Sequence, residues 1–220
     1  MIRPTRMGSL ELVDLLLSLA ALTIAFAILG ERRLPSAEVF FISAVGTGTG
    51  FLLHELAHKY AAQRYGYWAE YRANRSGLLL IIIMAFVGFI FAAPGAVMIH
   101  KARGRADDRW SASEGWQINQ PELAEAERKE TLWISLAGPM TNIVLAILFF
   151  LFLASDAATS SLWLSAANFA LFVNLTLAAF NLLPFGPLDG KKIFDSSRTV
   201  WAIVTIPTIL AALPVYLGMI

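Results

Sequence analysis

No cysteine occurs among the 220 residues. That absence removes disulfides as a source of stability and removes thiolate from the possible metal ligands. Charge is scarce as well. Only 15% of the residues are Asp, Glu, Lys or Arg, against about 25% in an ordinary soluble domain. With 57% hydrophobic residues alongside, the composition excludes a soluble globule and implies an integral membrane protein whose first partner is the lipid bilayer. A basic patch with interleaved aromatics is also missing and the net charge is +1, so nucleic acid is not an expected ligand. No cleavable signal is expected, because the first apolar run is long and lacks a clean small-residue site behind it. Histidine is rare too. His54, His58 and His100 are the three in the chain, so any imidazole metal site draws on a short list.

What is present is a series of uncharged apolar stretches, at about residues 15–30, 39–53, 77–99, 131–154, 162–184 and 199–220. Several approach the roughly 20 residues that cross a bilayer. They predict an all-α polytopic membrane protein of five to six transmembrane helices, one membrane-embedded domain over residues 1–220. Basic residues choose between the two counts. Six crossings with the N-terminus inside leave eleven Lys and Arg outside and six inside, which opposes the positive-inside bias. If residues 77–99 enter and return on one side, only Arg32 and Arg33 stay outside. Ala92-Ala93-Pro94-Gly95-Ala96 offers a place for the reversal, since Pro94 lacks a donor and disfavours helix at Ala93. The expectation is a re-entrant segment near 77–99: a half-helix from Leu78 to about Phe91, then an extended return through Val97, Met98 and Ile99. The N-terminus and the loop at about 100–130 then lie on the cytoplasmic side of a cell membrane, by expectation a prokaryotic one. A proline-kinked ordinary crossing is the alternative.

His54-Glu55-Leu56-Ala57-His58 is the most informative motif. On a helix, residues four apart share a face about 6 Å apart along the axis, so both imidazoles can hold one metal ion. Glu55 stands beside them as a group able to activate water. Five-residue matches arise by chance, but here the motif follows an uncharged run from Phe40 to Leu53, where ionisable groups are costly unless used. Further on, Asn181-Leu182-Leu183-Pro184-Phe185-Gly186-Pro187-Leu188-Asp189-Gly190 breaks a helix and then presents a carboxylate. Catalytic zinc sites pair three protein ligands with an open position. His54, His58 and Asp189 would make such a set, and His100 is the rival third ligand.

These elements resemble the site-2 protease family of intramembrane zinc metalloproteases, peptidase family M50. The resemblance rests on His54, Glu55 and His58, on Asn181, Pro184, Pro187, Asp189 and Gly190, and on Ala137-Gly138-Pro139 with Asn142 between them. It implies one Zn²⁺ per chain held by His54, His58 and Asp189, with Glu55 as general base and Asn181 as donor to the developing oxyanion. Asn174 is a competitor for that last role. It also implies an extended segment that pairs with unwound substrate, for which Gly95, Ala96 and Val97 are the candidates, because an open strand edge captures peptide through main-chain hydrogen bonds. The expected activity is hydrolysis of peptide bonds within or near transmembrane segments, and the expected partner is a transmembrane protein substrate.

No PDZ or CBS module fits, since the longest polar stretch is about 99–130. That stretch reads as a solvated loop leading into a surface helix with the alternating charges of Glu122 to Glu130. Lys191 stands where relatives often have a small residue. Glu11 and Asp14 read as favourable charges at a helix N-terminus. Gly46, Gly48 and Gly50 read as close-packing positions. Two other functions stay open: a zinc-binding regulator or chaperone of the same fold that does not cleave, against which an intact Glu55 argues, and a transporter. A transporter predicts further intramembrane charges and a repeat, neither of which is visible.

Overall fold

In a computed structural model, residues 7–29, 35–90, 94–101, 120–155 and 160–216 are described. Eight α-helices and two strands run in the order α1 (Ser9–Leu29), α2 (Ala37–Thr47), α3 (Leu53–Arg64), β1 (Tyr67–Ala73), α4 (Arg75–Phe86), β2 (Gly95–Lys101), α5 (Gln120–Ala154), α6 (Ser161–Asn181), α7 (Asp189–Ser196) and α8 (Arg198–Tyr216). A π-helical turn, Gly48–Leu52, joins α2 to α3. Four segments are long and apolar enough to cross a membrane: Ser9–Leu29, Ala37–Arg64, Ala124–Ala154 and Ser161–Asn181; α4 and α8 are shorter apolar helices. The chain is thus a helical membrane protein with a small sheet.

Residues 77–99 are not one helix. Asn74 caps α4 by accepting from Gly77 N–H, and Gly88, at φ +88°, stands just past the helix's end. A left-handed residue stops a helix because its N–H and C=O leave the α ladder. The expected half-helix therefore runs three residues earlier at its start and about five earlier at its end. Twelve residues rise about 18 Å, well short of the roughly 30 Å hydrocarbon core. Beyond it β2 lies antiparallel to β1, with Ala73 opposite Gly95, and Asn74 N–H donates to Pro94 O at 2.8 Å. The chain leaves at residue 74 and returns to the same place at 94. The reversal expected at Ala92-Ala93, and Arg32 and Arg33, lie outside the described residues.

Two other elements differ from expectation. β1 was not foreseen, although Tyr67-Trp68-Ala69-Glu70-Tyr71-Arg72-Ala73 carries the aromatic content that suits a pleated surface. The expected surface helix near Glu122–Glu130 and the crossing that follows are one 35-residue helix, α5, which runs through Pro139. Most of the expected loop before it, residues 102–119, lies outside the described residues.

The main core joins α1, the π-helical turn, β1 and α4 through Leu15, Leu22, Phe51, Tyr71, Leu78 and Ile81. A second cluster of Leu132, Leu136, Leu182 and Ile193 fastens α7 to α5 and to the end of α6. α3 lies between these two clusters, against β1 on one side and α5 on the other.

Candidate metal centre

One helical turn of α3 carries His54 and His58, and their rings meet edge to face with centroids 4.7 Å apart. Both are buried. Asp189 arrives from far along the chain, at the first residue of α7. Its place is fixed by Gly190: a side chain there would strike the backbone of Leu182 and Leu183, so α7 lies directly on the end of α6. Trp201 Nε1–H donates to Leu182 O at 2.8 Å and secures the same junction. Gly186, at φ +62°, makes the turn between the two helices, a conformation glycine adopts without steric cost.

Three atoms then converge. His58 Nε2 is 2.9 Å from Asp189 Oδ2, His54 Nε2 is 3.4 Å from the same oxygen, and the two Nε2 atoms are 3.1 Å apart. Their hydrogen-bonding partners decide what these atoms are. His54 Nδ1 is 3.1 Å from Asn142 Oδ1, and His58 Nδ1 is 2.8 Å from Ile134 O. Asn142 Nδ2 donates to Gly50 O at 3.1 Å, which orients the amide with its oxygen toward His54. Both acceptors require a proton on Nδ1, so in the neutral imidazoles both Nε2 atoms present lone pairs.

Two imidazole lone pairs and a carboxylate oxygen facing one another repel unless a cation lies among them. Tetrahedral zinc with ligands near 2.0–2.1 Å separates them by about 3.4 Å, close to the spacing observed. Gly138 of α5 completes the cradle, since a Cβ there would collide with His58 Nε2 and with His54 Cε1 and Nε2. Two nitrogens and one oxygen are a donor set zinc accepts. The residues present therefore fit the metal.

Glu55 is half-buried beside this centre. His54, Asp189 and Lys192 are among the ionisable groups that act on it, as does the backbone N–H of Val97. That interaction brings β2 to the site. Gly95 and Val97 lie opposite Ala73 and Tyr71, and Ala96 opposite Arg72. Lys192 Nζ stands 3.5 Å from Asp189 Oδ1, the oxygen turned away from the histidines.

Three further residues singled out by sequence lie outside the cluster of ligand atoms. His100 is on β2, stacked on Trp68 at 5.4 Å, and takes no part in the cluster of ligand atoms. Asn181 ends α6, and its Nδ2 donates to Leu177 O at 3.0 Å within its own helix, which leaves the second amide hydrogen. Asn174 donates to Thr49 Oγ1 and Ala170 O and is wholly buried in the α6 contact with the π-helical turn. Sequence reasoning placed Asn142 in a motif without its role. Its bond to His54 depends on α5 crossing α3, which no local pattern encodes.

The sequence matches peptidase family M50 over residues 41–156 and 153–211. It is 36% identical over 206 residues to a protein of Methanocaldococcus jannaschii described as a candidate zinc metalloprotease, an alignment covering 93% of each chain. A Bacillus subtilis protein described in the same words is 29% identical over 164 residues, covering 66% of this chain and 64% of its own. No solved structure matches.

Proposed function

We propose, since the chain belongs to peptidase family M50, that it is an intramembrane zinc metalloendopeptidase of the site-2 type, cutting transmembrane protein substrates within or near their spans. The observation that carries this reading is the convergence of His54 Nε2, His58 Nε2 and Asp189 Oδ2 with Glu55 alongside. One Zn²⁺ per chain is held by these three residues. Zinc bound there supplies a Lewis acid and a water of lowered pKa.

The chain's own groups do the rest. Asn142 and Ile134 O hold the imidazoles in the Nδ1–H tautomer with Nε2 turned inward. Glu55 takes the proton of the attacking water and returns it to the leaving amine. Asn181 offers its unspent amide hydrogen to the developing oxyanion. Substrate lies along β2 at Gly95, Ala96 and Val97. Antiparallel pairing alternates the direction of backbone groups. Tyr71 and Ala73 send their N–H groups to α1, so their partners Val97 and Gly95 point theirs away from β1, toward the site. Those two supply the main-chain contacts, and Ala96, whose own are turned to Arg72, lends its side chain.

The whole chain is read as a single membrane-embedded domain. The segment near residues 77–99 is read as re-entrant, a reading supported by the Asn74–Pro94 hydrogen bond and the shortness of α4. The chain's N-terminus and active-site entrance face the cytoplasm of a prokaryotic cell, as the distribution of Lys and Arg favours.

The test is cleavage of a fluorogenic single-span peptide by purified protein. Glu55→Gln is expected to lower kcat by at least about a hundredfold, the scale of lost general-base catalysis, while zinc stays bound. Chelation abolishes cleavage and added zinc restores it. Cleavage indifferent to both treatments would sink the proposal.

A further inference from the structure

Two carboxylates of α1 have no part in the chemistry above, yet one of them is almost wholly buried as an ion pair. Glu11 Oε2 lies 2.5 Å from Lys59 Nζ, with side chains 1% and 3% exposed. Withdrawing two charges from water is costly, so such a pair speaks for position more than for stability. What it positions is shown by the other oxygen: Glu11 Oε1 accepts from Tyr71 N–H at 3.1 Å. Three residues on, Asp14 Oδ2 accepts from Ala73 N–H at 3.3 Å. One turn of helix thus satisfies two N–H groups two residues apart on a strand.

Among the described residues the sheet accordingly has one edge closed by α1 and one edge paired to no further strand. Tyr71 and Ala73 stand opposite Val97 and Gly95, and their N–H groups face α1. The same alternation turns the backbone groups of Gly95, Val97 and Ile99 outward on the opposite edge, and β2 also packs against α3, the helix that carries Glu55. Tyr71 is anchored a second time, its hydroxyl donating to Ser18 Oγ of α1 at 2.9 Å. Lys59 directly follows His58, so the ion pair also binds this edge to the helix that carries both histidines.

We infer that Glu11, Asp14 and Lys59 are positioning residues for the substrate strand: they close the outer edge of β1 and fix the sheet against α3, so that a peptide adds to β2 alone, beside Glu55. The inference rests on the reading of β2 as the substrate edge.

The experiment uses full-length, zinc-loaded protein in detergent micelles and a fluorogenic single-span peptide. Asp14→Ala removes the acceptor from Ala73, whereas Asp14→Asn keeps an oxygen there. Glu11→Met with Lys59→Met replaces the ion pair by apolar chains and leaves Tyr71 N–H without its acceptor. Asp14→Ala and the double variant are expected to raise KM about threefold to tenfold, the scale of one lost hydrogen bond. In both, zinc content and kcat stay within twofold of wild type, roughly the error of such comparisons. Asp14→Asn keeps the wild-type KM, and amides of residues 95–101 exchange faster with deuterium in the double variant. If the double variant does not fold, the Asp14 pair decides alone. Unchanged KM in Asp14→Ala, or a fall in kcat and zinc content without a change in KM, overturns the inference. Loss of chelator sensitivity in the wild type strikes instead at the protease reading, so the two failures are distinct.

Discussion

Asn142 Nδ2 is committed to Gly50 O, so its oxygen is the atom left for His54, and only a protonated Nδ1 can meet it. Replacing Asn142 by Leu removes that constraint and leaves Gly50 O without its donor. Zinc affinity is expected to fall about tenfold to a hundredfold, as for other outer-shell partners of metal-binding histidines, when measured by competition with a chromophoric chelator. Glu55→Gln in the same assay stays near wild type. The histidine pair was legible in the sequence because both residues sit on one helix at a spacing that sequence displays. Asp189 was legible through its broken-helix motif. Asn142 was legible only as a neighbour of Gly138 and Pro139, since its function depends on which helix faces which. Glu11 does lie in the first turn of α1, as expected, but its partner was hidden for the same reason: a helix N-terminal charge needs no partner, and Lys59, 48 residues away, cannot be matched to it by pattern.

Elements were recovered where length and hydropathy decide them. α1, the span Ala37–Arg64 and α6 lie where apolar runs predicted them, because a bilayer demands long uncharged segments. The short elements are set by contacts instead. β1 exists because β2 pairs with it on one side and carboxylates of α1 bind it on the other. α4 stops at a glycine whose positive φ no hydropathy plot shows. α7 is the element on which the metal centre depends most, as Asp189 begins it and Gly190 presses it onto Leu182. Gly190→Ala forces backbone apart at that junction. It is expected to destabilise the protein by about 1–3 kcal/mol, the usual cost of overpacking, and to lower bound zinc, read by thermal unfolding and by metal analysis. Glycine at position 48 has open space around it, so Gly48→Ala in the same measurements should leave zinc content unchanged.

Across the whole molecule, the arrangement of strands and helices makes a statement about sidedness that the absence of cysteine renders easy to test. Each single cysteine introduced is the sole thiol. Arg75→Cys and Ala124→Cys are expected to react with an impermeant maleimide from one side of sealed vesicles, and Ser36→Cys and Ser160→Cys from the other; all four native residues are exposed. Labelling of Arg75→Cys and Ala124→Cys from opposite faces would make the segment between them a crossing. The span that carries the histidines has a global consequence too. Upstream of the π-helical turn, Gly46 is pressed against Phe169 of α6; downstream, His54 reaches Asn142 of α5. Each π-type bond closes over five residues instead of four, so Gly48–Leu52 absorbs one residue that an unbroken α-helix would convert into about 100° of rotation. The span is therefore a single rod with two phases: its first half is timed to one neighbour and its second half to another, and the metal-binding face keeps its bearing because the rod slips one beat between them.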